Sequence, residues 1–335
     1  MKTRAIGLGT TLAMVMAGIA IVSAQTLPTT VDGLVSTAKE AAGVDWPGTF
    51  LRLCIPPPPA PPAAGRGGNA GNAAPAGPPS RDRWYAEPAK VADNFYFIGT
   101  KVHNAWALVG SDGIIVFEAL FDYAAPDEVV GGMKKVGLDI TKVKYIIISH
   151  AHADHDGGAR YLQEALPSAH LVYGGPDWDA VDKSTNHAGG KPKHDTVAAD
   201  GMKFSVGDAS VQIVTTPGHT PGTISFLFEV KDNGKPLRVA YVGGTAIPFN
   251  GTAAYYDTYI ASVKKMAKAA NDFGATALMS NHTEFDNGFY KAHTAANRKR
   301  GDANPFDVGR AAVGRYFTMV EACTTAAKMR AASKP

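Results

Sequence analysis

Hydrophobic and polar positions change rhythm several times along the chain. Thr30 to Ala42 suits a helix, but Ile55 to Pro79 is almost entirely Pro, Ala and Gly and offers nothing to pack. From Arg83 onward short apolar runs alternate with turn residues. Phe95 to Ile98, Ala105 to Val109 and Gly113 to Phe117 are rich in aromatic and β-branched side chains and bounded by Gly, Asn, Ser or Asp, which predicts three strands joined by tight turns. A helix is expected next. Pro126 fits its first turn, Asp127 and Glu128 sit at the positive end of its dipole, and Gly137 stops it after Val136. Lys144 to Ile148 then reads as a strand, as do Val211 to Val214 and Arg238 to Val242 further on. Between Val308 and Met329, Val313, Phe317, Val320 and Thr324 recur at helical spacing and predict a helix with one apolar-leaning stripe.

Composition narrows the class. The chain has 335 residues, 45% hydrophobic and 19% charged with a net charge of +3, which is ordinary for a globular protein and too weak a basic excess for sequence-independent nucleic-acid binding. Two cysteines, Cys54 and Cys323, are too few for a cysteine-built zinc site, so a metal centre here needs His, Asp and Glu. At the N-terminus, Lys2 and Arg4 precede an uncharged run from Ala5 to Val22, and Val22-Ser23-Ala24 puts small residues before Gln25. This predicts a cleaved secretory signal over 1–24, with a membrane anchor as the competing reading. The expected organisation is then an extension carrying the Pro-rich linker over 25–82, a main domain over 83–293 and a helical extension over 294–335. A periplasmic or secreted location follows from the signal. In that oxidising setting Cys54 and Cys323 can pair and tie the two extensions together.

The strand ending near Ile148 runs into Ser149-His150-Ala151-His152-Ala153-Asp154-His155-Asp156-Gly157-Gly158, which holds three of the chain's ten histidines. Imidazole nitrogens and a carboxylate oxygen are zinc ligands at about 2 Å. His150 and His152 point to one side of an extended segment, and Asp154 and His155 lie where a helix begins. One loop can therefore serve two adjacent metal ions.

On these residues the chain resembles the metallo-β-lactamase superfamily, over roughly Asp93 to His293. The resemblance implies an α/β fold, a four-layer αββα sandwich with the metal site at one edge. Thr216-Pro217-Gly218-His219 matches the family's second histidine motif, which implies that His219 completes a three-histidine site with His150 and His152. Ser280-Asn281-His282 stands where the family places its last histidine. Asp154, His155 and His282 would then hold a second Zn2+, giving two zinc ions per chain. That set is most similar to the third subclass of class B β-lactamases. Two departures stand out: Gly243-Gly244 replaces an Asp-Ser pair, and Glu118-Ala119 replaces Asp-Gly at the end of an early strand. Glu118 is expected to orient a ligand histidine through its other ring nitrogen.

The function implied is a secreted zinc-dependent hydrolase in which a water activated by two metals attacks an amide or ester carbonyl, a β-lactam ring among the candidates. Asp154 is the expected catalytic residue, holding the nucleophile and carrying a proton to the leaving group. Redox chemistry is disfavoured, because di-iron members of the family generally replace the second motif histidine, whereas His152 is intact. A lactonase or esterase of the same fold is the alternative within the enzymes, a nuclease comes after it, and a non-catalytic zinc-binding module is the competing class. The expected partner is a small-molecule substrate, with neither nucleic acid nor, after signal cleavage, membrane; antibiotic resistance would follow only from a β-lactam substrate. His187 and His194 read as solvated loop residues, His170 as part of a strand and His293 as helix surface. His103 precedes a strand where it could overhang the cleft and receives no chemistry.

Overall fold

The computed structural model describes residues 27–58, 77–299 and 301–333; the predicted signal segment and most of the Pro-rich stretch lie outside them. Two helices come first, α1 (Val31–Ala42) and α2 (Pro47–Cys54), followed by the single turn α3 (Arg81–Trp84). Thr30 caps α1 through its side chain, and Pro47 starts α2, where a missing N–H costs nothing.

The first sheet has seven strands in sequence order: β1 (Ala89–Ala92), β2 (Phe95–Phe97), β3 (Trp106–Gly110), β4 (Gly113–Phe117), β5 (Val143–Ile147), β6 (His170–Gly174) and β7 (Thr196–Ala198). The first four pair antiparallel and the rest parallel, as the helical crossovers α4 (Gly131–Lys135), α5 (Ala153–Asp156), α6 (Ala159–Ala165) and α7 (Gly175–Lys183) require. The second sheet has five: β8 (Lys203–Val206), β9 (Ala209–Thr215), β10 (Ile224–Asp232), β11 (Lys235–Val242) and β12 (Ala277–Ser280), with only β11 and β12 parallel. After β11 come α8 (Ala253–Phe273), then α9 (Thr283–Asp286), α10 (Gly288–Asn297) and α11 (Gly309–Ala332).

Strand alternation divides the core into three clusters. On β4, Ile115 and Phe117 face the inter-sheet cluster with Phe226, Phe228 and Tyr241, whereas Ile114 and Val116 face the helices outside the first sheet with Met133, Leu162 and Trp178. On the outer face of the second sheet, Leu227, Ala240 and Leu278 meet α1, α2, α8 and α11. The layers therefore run helices, sheet, sheet, helices, as the resemblance implied.

The predicted strands and their order are present, with ends within a few residues. The helix expected from Pro126 is there, but its first turn, Pro126–Val130, is wound as a π-helix before α4 takes over. Val313, Phe317, Val320 and Thr324 are all buried on α11, and Cys54 and Cys323 form the expected disulfide. Among the described residues, no helix is long and apolar enough to cross a membrane.

Candidate metal centre

Five chain segments end at one edge of the sandwich. β5 delivers Ser149 to His155, β9 leads into Thr216 to Gly222, β11 runs into Gly243-Gly244, β12 ends before Asn281-His282, and β4 runs into Glu118. His150, His152 and His219 meet there: one ligand nitrogen from each can be chosen so that all three lie within 4.8 Å of one another. Their rings are 4.4 to 4.8 Å apart, centroid to centroid.

The protons decide what this cluster can hold. His150 Nδ1 lies 2.8 Å from the Gly243 carbonyl, and a carbonyl only accepts, so Nδ1 carries the proton and Nε2 the lone pair. That Nε2 is buried and has no hydrogen-bond partner. His219 Nδ1 is likewise 2.7 Å from the Ala246 carbonyl, which turns its Nε2 lone pair toward His152 Nδ1 at 3.1 Å. Burial and the neighbouring imidazoles hold His150 well below the usual histidine range, and burial takes His219 down to about 4 despite its carbonyl partner. Neutral rings with inward lone pairs fit a divalent cation, with outer carbonyls fixing each ring's orientation.

Beside them lies a second group. Asp154 Oδ2 is 3.2 Å from His155 Nε2 and 3.2 Å from His282 Nε2, and those two nitrogens are 2.9 Å apart. Burial works against ionising Asp154, but hydrogen bonds from His155 and His282 outweigh it and hold the carboxyl well below its usual range. Burial alone would lower His155 too, yet Asp154 and Glu118 raise it to about 10, so strong negative potential faces that ring. Glu118 is fully buried, accepts from Tyr241 Oη at 3.0 Å and Ser149 N at 3.3 Å, and puts Oε2 3.5 Å from His155 Nδ1. Its φ of +67° is a left-handed backbone that a side chain adopts at a cost, and it turns the end of β4 under the site.

The six residues thus lie together at this edge, His150, His152 and His219 in one group and Asp154, His155 and His282 beside it. His103, which received no chemistry above, lies there as well: it forms a metal-capable group with Asp154 and His282, and its Nε2 is 3.5 Å from Asp154 Oδ2. Burial, then the nearby His282 and His155, push its pKa down to about 3. A lone histidine far from the motif has no spacing to betray it.

Sequence reasoning also missed the supports. Asp177, buried at the start of α7, accepts from Ala151 N at 2.8 Å, Thr220 Oγ1 at 2.8 Å and Gly222 N at 2.8 Å, joining the two histidine loops. Asn281 donates to the Gly243 carbonyl at 2.7 Å and to Ser149 Oγ at 3.1 Å. Of the two loop histidines, His194 is exposed and stacks on Trp178, but His187 is not solvated: it is half-buried and its Nε2 lies 2.9 Å from Asp156 Oδ2, locking the loop beside the site. His293 is half-buried against Phe289 rather than a surface residue. The glycines at 243 and 244 are required by close approach. A Cβ on Gly243 would lie 1.8 Å from the Ile224 carbonyl oxygen, and one on Gly244 would lie 2.6 Å from His219 Cβ.

Residues 98–232 match the family model described as the metallo-beta-lactamase superfamily. Among curated proteins, an N-acyl homoserine lactonase AttM of Agrobacterium fabrum is 34% identical over 119 residues, 32% of this chain and 44% of the relative. A hydroxyacylglutathione hydrolase of Xanthomonas axonopodis pv. citri is 29% identical over 36% of this chain and 41% of its own length. The chain therefore spans less than half the length of these relatives. Among solved structures, BJP-1, a subclass B3 metallo-beta-lactamase of Bradyrhizobium japonicum, superposes with a TM-score of 0.57 at 24% identity, covering 69% of this chain and 89% of that one. Native FEZ-1 metallo-beta-lactamase of Legionella gormanii gives 0.60 at 20% identity over 69% and 91%. These likenesses show a shared fold, and the stretch that matches the metallo-beta-lactamase superfamily model, residues 98–232, is the one that carries His103, His150 to His155 and His219.

Proposed function

We propose that the chain is a dizinc hydrolase that cleaves an amide or ester carbonyl, with His150, His152 and His219 holding one zinc ion and Asp154, His155 and His282 the other. The observation that carries this reading is the pair of adjoining donor sets, one all imidazole and one anchored by an ionised carboxylate. Bound zinc supplies a water of lowered pKa and polarises a carbonyl. The chain's own residues then have distinct tasks. Gly243 and Ala246 carbonyls fix the tautomers of His150 and His219, Glu118 faces the outer nitrogen of His155, and Asp154 holds and passes on a proton at its carboxylate.

An open cleft of about 950 Å³ adjoins the site, lined by Trp84, Phe121, Tyr123 and Arg83 and reaching His103. Its aromatic wall suits a substrate with an apolar arm. Gly243-Gly244 provides no hydroxyl for a substrate carboxylate and the packing forbids one, which favours a lactone or other ester over a β-lactam. The lactonase among the relatives points the same way. Secretion follows from the N-terminal signal proposed over 1–24.

The test is zinc analysis of purified protein with a panel of a cephalosporin, a lactone and a phosphoester. Two zinc ions per chain and turnover of at least one carbonyl substrate are expected. Asp154→Ala should lower turnover by about 10²–10⁴-fold with little change in Tm, because it lies at the sandwich edge and outside the apolar core. Zinc without turnover on any substrate would instead indicate a binding module, and wild type without stoichiometric zinc would overturn the reading.

A further inference from the structure

His103 is held against the second donor set by backbone, not by chance of rotamer. Its loop pairs antiparallel with His282 across an isolated bridge. On either side, Asn104 N donates to the Asn281 carbonyl at 2.9 Å and Thr283 N to the Val102 carbonyl at 2.8 Å. Thr100 Oγ1 accepts from His103 N at 2.7 Å and shapes the turn that aims the ring inward. The Asn104 side chain completes the staple, donating to the Ser280 carbonyl at 2.8 Å and to Asp286 at 3.2 Å while accepting from Thr283 Oγ1 at 2.9 Å. The loops of His103 and His282 therefore move as one piece.

Donor spacing supplies the second argument. Around an ion with bonds of about 2.0–2.1 Å, tetrahedral geometry separates neighbouring donor atoms by about 3.3 Å. The distances here are 2.9 Å for His155 to His282, 3.2 Å from Asp154 to each of them, and 3.5 Å from Asp154 to His103. A donor atom of His103 also lies within 4.8 Å of one from His282, with ring centroids 4.9 Å apart. His103 approaches Asp154 on the same scale as the two expected ligands, and its ring makes that polar contact with a side chain only 15% exposed.

We propose that His103 is a fourth protein ligand of the second metal, beside Asp154, His155 and His282. The proposal rests on the dizinc reading and deepens it. Four protein donors close a zinc coordination sphere, whereas three leave a position open. The second ion would then be the firmly held, orienting one, and the three-histidine site the one with room for a reacting group. Because His103 also lines the aromatic cleft, a substrate lying there abuts the closed site and reaches toward the open one.

The experiment is zinc and cobalt titration of metal-free wild type and His103→Ala, with histidine ring ¹⁵N spectra of wild type recorded along the titration. Expected are a second-metal affinity at least about tenfold weaker in His103→Ala, an unchanged first-metal affinity, and a His103 ring nitrogen that shifts as the second equivalent binds. A cobalt spectrum typical of four-coordination at the second site should be lost in the variant. Two metals bound by His103→Ala at wild-type affinity would overturn the proposal while leaving the dizinc reading intact, and so would a His103 ring that ignores metal. If wild type binds no metal, both fall. Should His103→Ala fail to fold, the wild-type ring spectra decide alone.

Discussion

Asp177 sits beneath both histidine loops with its two oxygens shared among three donors, Ala151 N, Thr220 Oγ1 and Gly222 N. Burial raises its pKa, and those hydrogen bonds pull the other way. Truncation leaves three donors without an acceptor in a buried place, each at a cost of about 1–3 kcal/mol. Asp177→Ala should therefore lower stability by about 2–4 kcal/mol and weaken the three-histidine site, since His150 and His219 lose their common floor. Calorimetry with zinc titration measures both. Unchanged zinc affinity at that site would show that the loops hold themselves. Nothing near Asp177 in the sequence marks it, because Gly174-Gly175-Pro176 reads as a turn and its partners are distant in the chain. The dense motif of His150 to His155 was legible because metal ligands there are neighbours in sequence. His219 and His282 were legible only through the family pattern. His103 and Asp177 act through contacts that the fold creates.

At the scale of elements, the strands were legible as short apolar runs bounded by turn residues, because each sheet is covered on both faces, by the other sheet and by helices. Where both faces are buried, as along β4, the run is continuous and only its bounding turns set the ends. The helix from Pro126 was foreseen, but its π turn was not, since nothing in the residue types distinguishes a five-residue step from a four-residue one. That turn carries Glu128 inward, where Oε1 accepts from Ala86 N at 2.8 Å and Oε2 has no partner. Burial raises its pKa to about 8 from an ordinary 4.5, against the pull of Ala86 N and Arg81 and with added push from Asp127 and Glu87. The folded state thus binds a proton that the unfolded chain releases, so this group's contribution is greatest below about 4.5 and is lost as pH rises to about 8. Glu128→Gln keeps the acceptor and removes the charge. It should match wild type near pH 4.5 and exceed it by about 2 kcal/mol above pH 8, read from denaturation midpoints. Parallel stability curves across that range would sink the argument.

For the whole molecule, the disulfide between Cys54 and Cys323 joins residues 269 apart and fastens α2 to α11. It reaches the metal centre indirectly. Gly48 on α2 has no room for a side chain, its Cβ position lying 2.2 Å from the Glu284 carbonyl oxygen, and Thr49 Oγ1 donates to the Phe285 carbonyl at 2.6 Å. Arg52 and Glu284 pair at the surface. Thus α2 clasps α9, the turn that follows His282. Thiol titration of unfolded, unreduced protein should find no free thiol, and the Cys54→Ala, Cys323→Ala double variant should lose about 2–5 kcal/mol. Two free thiols per chain would remove the strap.

Synthesis runs from the N-terminus, and this gives the strap a temporal meaning. When His282 is added, the residues of all twelve strands have been made, but α11, the helix to which the disulfide joins α2, has not. That helix is the last one in the described chain, and its cysteine arrives forty-one residues later. Support for the turn after His282 therefore waits for α11: the residues of both donor sets are already in the chain, but the clasp on the second set is complete only when a segment that follows it meets one that precedes both sets.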